Sequence, residues 1–214
     1  MRKLFAIILI FMVVALTGCG TKDSPENALA DIQVALAERN FKKLSERVNL
    51  ENFFAQIYDD GTVELAKNYD YYKEKYPDDL YFQQDAEFLE RYNTKFRERH
   101  LKFLQGVQAS YFAKFPKPET PEENPYAYVA NEFEETLRAV HTEIQNITVN
   151  ENFATMTLAI KGDETLRGQF VGDLIFKISF IKDADKWYVN RIENLDELTP
   201  LIVDKAEIVW INFF

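Results

Sequence analysis

Residues 153–161, FATMTLAIK, decide the fold: Ala154, Met156, Leu158 and Ile160 fall on one side of an extended chain, and Thr155 and Thr157 fall on the other. Successive side chains of a strand point to opposite faces, so a period of two predicts a strand buried on one face only. The flanking sequence repeats the signal. Val140–Val149 reads as a strand before it, Gln169–Lys182 as one after it with Leu174, Phe176, Ile178 and Phe180 on one face, and Trp187–Leu195 as a fourth. The links are short and polar: Asn150-Glu151-Asn152, then Gly162 to Gly168, then Asp183 to Lys186. Short polar links between alternating strands predict an antiparallel meander. The tail from Asp196 to Phe214 fits a helix through Leu198, Leu201, Ile202, Lys205 and Ile208. From Ile208 onward it also fits a fifth strand. A helix is the expectation for its first part, and the sheet is expected to have four to five strands.

Upstream of residue 138 the period changes to that of a helix. Ser24-Pro25 is a start signal, a hydroxyl cap followed by proline at the first helical position. It predicts a helix to Arg39 with Ala28, Leu29, Ile32, Ala35 and Leu36 inward, ended by Asn40 in the left-handed conformation. A short helix with Phe41, Leu44 and Val48 inward follows. A third from Leu50 to Asp60 buries Phe53, Phe54 and Ile57 and is expected to stop at Gly61. From Asp85, the residues Phe88, Tyr92, Phe96, Phe103, Val107, Tyr111 and Phe115 recur at three- and four-residue steps, predicting a long amphipathic helix that ends at Pro116. Gly106 is a candidate kink. Residues 116–125, PKPETPEENP, hold four of the seven prolines and read as an extended acidic loop. A last helix spans 126–137.

The N-terminus has its own texture. Arg2 and Lys3 precede an uncharged apolar run from Leu4 to Leu16, 13 residues long. That is short of the roughly 20 residues a membrane-spanning helix needs, and it fits a secretion signal. Leu16-Thr17-Gly18-Cys19 resembles the lipobox of bacterial lipoproteins, and Cys19 is the only cysteine in the chain. The resemblance implies diacylglycerol on the Cys19 sulfur, cleavage after Gly18, and a mature chain anchored to the cell membrane or outer membrane, facing the periplasm or exterior. Residues 1–18 are then the signal, 19–25 a tether, and 26–214 one domain. Without Arg2 and Lys3 the basic residues number 23 against 35 acidic, a net charge of −12. Such a surface repels nucleic acid and anionic lipid, so membrane contact is expected through acyl chains.

Helices first and a curled antiparallel meander afterwards make the expected class α+β. The opening SPENALADIQVALAERNFKKLSERVN and the closing DKWYVNRIENLDEL resemble the cone-shaped nuclear transport factor 2-like (cystatin-like) domains found in many secreted lipoproteins. The resemblance covers about 40 of the 196 mature residues. Residues 62–125 exceed that pattern and are read as a helical insertion or lid.

Chemistry-bearing residues are sparse. His100 continues the apolar stripe of the long helix and reads as structural, whereas His141 opens the first strand. Acid pairs such as Asp59-Asp60 and Glu134-Glu135 are what 35 acids in 214 residues produce by chance. No cofactor or metal site is expected, because no HExxH, calcium-loop, phosphate-loop or nucleophile-turn pattern is present. The aromatic excess is the one candidate binding feature. Tyr69, Tyr71, Tyr72, Tyr76 and Tyr81 are interleaved with Lys and Asp, and tyrosine offers a large apolar face with a polar tip. The resulting expectation is a noncatalytic, membrane-anchored module that binds a ligand, an envelope protein, a peptide or a glycan. The alternative is an enzyme with an acid/base site inside the cone, using His141 or an isolated acid. A cavity lined by an acid or histidine would favour the enzyme.

Overall fold

A computed structural model describes residues 23–213, with side chains to residue 205. The signal, Cys19 and the tether through Lys22 lie outside the described residues. The chain is α+β, with helices first and then an open antiparallel sheet of four strands in the order β1-β2-β3-β4. The helices are α1 (Pro25–Ala37), α2 (Phe41–Ser45), α3 (Leu50–Lys67), α4 (Tyr69–Lys75), α5 (Ala86–Phe112) and α6 (Pro125–Arg138). They precede β1 (Val140–Asn150) and β2 (Phe153–Gly162). A short α7 (Leu166–Val171) leads to β3 (Leu174–Asp183) and β4 (Lys186–Ile192), and α8 (Leu195–Phe213) closes the chain.

Side-chain caps set most helix starts. The Ser24 hydroxyl accepts from Asn27 N–H at 3.2 Å, Asn49 from Asn52 at 3.2 Å, and Asn124 from Ala127 at 3.1 Å. Each satisfies an N–H that the helix leaves without a partner. Asn40 does the same for α2, accepting from Lys43 N–H at 3.1 Å. The residue in the left-handed region is therefore Arg39, φ 52°, and not Asn40.

Four boundaries differ from the sequence expectation, the first being that β4 ends at Ile192 rather than Leu195. Helix α3 runs through Gly61 to Lys67, because Phe54, Ile57, Gly61 and Leu65 form one continuous buried stripe. Glycine costs a helix interior about 1 kcal/mol, less than the burial on either side supplies. Helix α5 ends at Phe112, four residues before Pro116, with Lys114 at φ 57°. Residues 169–171 belong to α7, capped by the Thr165 hydroxyl on Gly168 N–H at 3.1 Å, so β3 begins only at Leu174. The tail is helical from Leu195, with Leu198, Ile202 and Val203 buried.

The sheet register agrees with the alternation. Met156 of β2 lies opposite Ile147 of β1 and Ile178 of β3, and Ala154 lies opposite Phe180. Phe176 and Phe180 are fully buried against the helices. Leu65, Tyr72, Phe82, Leu89, Leu104 and Tyr111 join the same contiguous core as Phe54, Ile57 and Phe176. Residues 62–125 thus contribute to the core that the rest of the chain builds, and the boundary drawn at Gly61 is absent. The far end of α5 is tied back to α1: Tyr111 Oη donates to Leu36 C=O at 2.8 Å, and Arg39 lies 4.9 Å over the Tyr111 ring. Gly106 lets α5 approach α6 closely, since a Cβ there would stand 2.6 Å from the Tyr126 ring.

Candidate functional site

The five tyrosines do not line a common groove. Tyr72 is fully buried and stacks on Phe82 with centroids 5.0 Å apart, and Tyr76 stacks on the same ring at 6.0 Å. Burial pushes the Tyr72 phenol up to about 12. Tyr69 is also buried. Tyr81 is half-buried and shares a hydrogen bond with the Asn93 amide at 3.0 Å. Only Tyr71 is exposed. Its hydroxyl accepts from Lys75 Nζ at 2.7 Å, and the same ammonium pairs with Asp204 of α8 at 2.7 Å. The Tyr76 hydroxyl also donates to Asp204. Burial, followed by the Asp204 carboxylate, raises the Tyr76 phenol above its ordinary range. The cluster fastens α4 to α8, and its accessible rim is Tyr71, Lys75 and Asp204.

The two histidines part company. His100 is buried on α5, with Nδ1 2.9 Å from the Tyr58 hydroxyl, and burial lowers its pKa. His141 is exposed on β1, with Glu143 its nearest acid at 3.7 Å. Neither reaches the cavity between the helices and the sheet. That cavity measures about 40 Å³ and is lined by Leu29, Ile32, Leu44, Phe53, Ile178 and Phe180, among other apolar side chains. None of its lining residues titrates. A pocket of this size and lining has no room for a metabolite. Among the described residues, no group of three or more His, Cys, Asp or Glu is placed to hold a metal. No described helix is long and apolar enough to cross a membrane.

A buried polar site not singled out in the sequence centres on Arg47. Arg47, 7% exposed, donates to Asp31 from Nε at 2.8 Å and to Asp23 from Nη1 and Nη2 at 2.8 and 2.7 Å. Nη1 also reaches Trp187 C=O at 3.2 Å, while Asp23 accepts from Trp187 N–H at 2.7 Å. The fork of a guanidinium suits this two-oxygen recognition. Burial pushes the Asp23 carboxyl up, but the Arg47 and Trp187 hydrogen bonds outweigh it and hold the group below its usual value. Next to the guanidinium, Val189 N–H donates to Arg47 C=O at 2.9 Å, and Val48 bridges Val189 in parallel. Arg47 lies just past the end of α2, and nothing in the neighbouring sequence marks it as a hub.

No protein-family model matches this chain, and neither the curated proteins nor the solved structures contain a match to it.

Proposed function

We propose that the chain is a cell-envelope lipoprotein, held to a membrane by lipid on Cys19, whose nuclear transport factor 2-like domain is a noncatalytic ligand- or protein-binding module. The observation that carries the reading is the placement of the only cysteine. Cys19 stands three residues past the end of the apolar run, just ahead of the fold, whose first described residue, Asp23, is clamped by Arg47. Four residue steps of extended chain reach roughly 14 Å at most. A lipidated Cys19 would therefore keep the Asp23 corner of the domain, with Lys186 and Glu46 nearby, close to the bilayer. The apolar lining of the cavity supports a binding or packing role over acid–base chemistry inside the domain. The exposed rim of Tyr71, Lys75 and Asp204 is the surface we assign to a partner. The decisive experiment is metabolic labelling with a fatty acid. The native chain should take up label and fractionate with membrane, whereas Cys19→Ser should take up none. Equal labelling of both would sink the anchor, and with it the envelope assignment.

A further inference from the structure

We propose that β1 is a self-pairing edge through which two copies of the chain join antiparallel, the two four-stranded sheets continuing into one of eight. This goes beyond the binding reading above and does not depend on the lipid. The two edges of the sheet are unlike. Strand β4 is bridged by Val48 and donates to Arg47 C=O. Among the described residues, β2 is the one strand hydrogen-bonded to β1 in the sheet. An open edge is a row of backbone donors and acceptors that another strand can pair, and proteins blunt such edges with lysine, proline, short length or a bulge.

Strand β1 carries almost none of these devices. It is 11 residues long, VHTEIQNITVN, with no Lys, Arg or Pro, and Glu143 is its one fixed charge. The one device present, an irregularity between Ile144 and Asn146, sits beside Glu143. It leaves Asn146–Asn150 as a regular, uncharged stretch. On the face toward the helices this stretch holds Ile147, half-buried, and Val149, 54% exposed.

The occupant follows from charge and symmetry. The chain has a net charge of −10, so two copies repel over most of their surfaces and meet at least cost where charge is missing. An antiparallel pair of identical strands satisfies a two-fold axis by construction. Centring that axis on Thr148 sets Thr148 against its own copy, Ile147 against Val149 of the second copy, and Asn146 against Asn150. Every contact is then between like chemistries on the same face, and such β-branched and threonine pairs favour strand pairing.

The test uses the full chain in mild detergent. Sedimentation should give twice the mass of the purified chain at tens of micromolar, and Val149→Lys should halve it while leaving unfolding in dilute, monomeric solution unchanged. Thr148→Cys should form a disulfide-linked dimer under mild oxidation, because directly opposed strand residues stand roughly 4.5–5.5 Å apart at Cα, inside the disulfide range. The native chain, whose one cysteine is Cys19, and Glu164→Cys on an exposed turn should not cross-link. The proposal is overturned if the native chain sediments as a monomer, if Val149→Lys stays dimeric, or if Thr148→Cys cross-links no better than Glu164→Cys. Cross-linking of Thr148→Cys in cells to a different protein alone would give the edge to a partner strand instead.

Discussion

The two edges of the sheet were made by the same kind of residue and finished differently. Strand β4 ends against the N-terminal segment: Val48 bridges Val189, Arg47 C=O takes its N–H, and the Arg47 guanidinium gathers Asp23, Asp31 and Trp187 C=O around it. Strand β1 leaves Ile144 and Val149 exposed. The contrast shows that edge protection here is a property of the chain path rather than of strand composition. Residues 23–48 pass beside β4 and close it, and α6 leads into β1 at one end without lying along it. If the chain is tethered at Cys19, the closed edge is also the one nearest the membrane.

The largest effect is expected on the closed side. Phe180 lies fully buried between Ala154 and Val189 and lines the small cavity. Phe180→Ala should cost roughly 3–5 kcal/mol, a large share of the 5–15 kcal/mol typical of a domain. Denaturant unfolding measures it, and a midpoint unmoved by the substitution would break the register on which the comparison stands. Next comes Arg47→Ala, which strands the Asp23 carboxylate and the Trp187 carbonyl. Removing one partner of a buried pair costs roughly 3–5 kcal/mol. The low end applies, because Asp31 is 54% exposed at its side chain and rehydrates. Arg47→Ala should also loosen hydrogen-exchange protection of Val189 N–H before that of β2.

The same latch predicts an acid limb. Asp23 has a folded pKa below its ordinary 3.8. The unfolded chain therefore binds its proton first as pH falls, and stability linked to Asp23 is complete above that ordinary value. It is lost as pH drops through the lower folded value. Asp23→Asn should flatten the fall in stability below about pH 4 while leaving the neutral-pH network short of one charge. A slope unchanged by Asp23→Asn would remove the latch from the account.

What was legible in the sequence follows the same division. Alternation in FATMTLAIK and in Leu174–Phe180 located the sheet and its buried face, since period two has one physical meaning when the links are short. Helix starts were legible where Ser24-Pro25 announced them. Local signals failed where tertiary burial decided. Gly61 looks like a stop, yet it lies mid-helix, and an added Cβ there would meet nothing within 4 Å. Gly61→Ala should accordingly raise stability by about 1 kcal/mol, and a loss instead would mean that the glycine is needed for a close approach. The tyrosines were legible as a cluster but not as core, because their spacing is the same whether the rings pack on Phe82 or face solvent. Arg47 was invisible as a hub because its partners stand 16, 24 and 140 residues away, and no local pattern carries that.

The smallest effect sharpens the contrast most, because it makes one chemical change at both edges. Val189 of β4 and Val149 of β1 both sit on the face that looks toward the helices, and both are β-branched residues near a strand's middle or end. Val→Thr keeps the shape and replaces one methyl with a hydroxyl. At Val189 that hydroxyl enters the apolar cavity, where Ile178, Leu44 and Val48 offer it no acceptor, so roughly 1 kcal/mol should be lost. At Val149, more than half exposed, water hydrates the hydroxyl in both the folded and unfolded states, and the change should fall within about 0.5 kcal/mol. Unfolding should be measured at a protein concentration low enough to keep β1 unpaired and then repeated at high concentration. If β1 pairs with itself, Val149→Thr becomes costly only in the concentrated sample, where its partner is Ile147 of the second copy, while the cost at Val189 stays the same in both. Equal costs at the two positions in dilute solution would mean that β1 is covered, and the asymmetry of the edges would be lost.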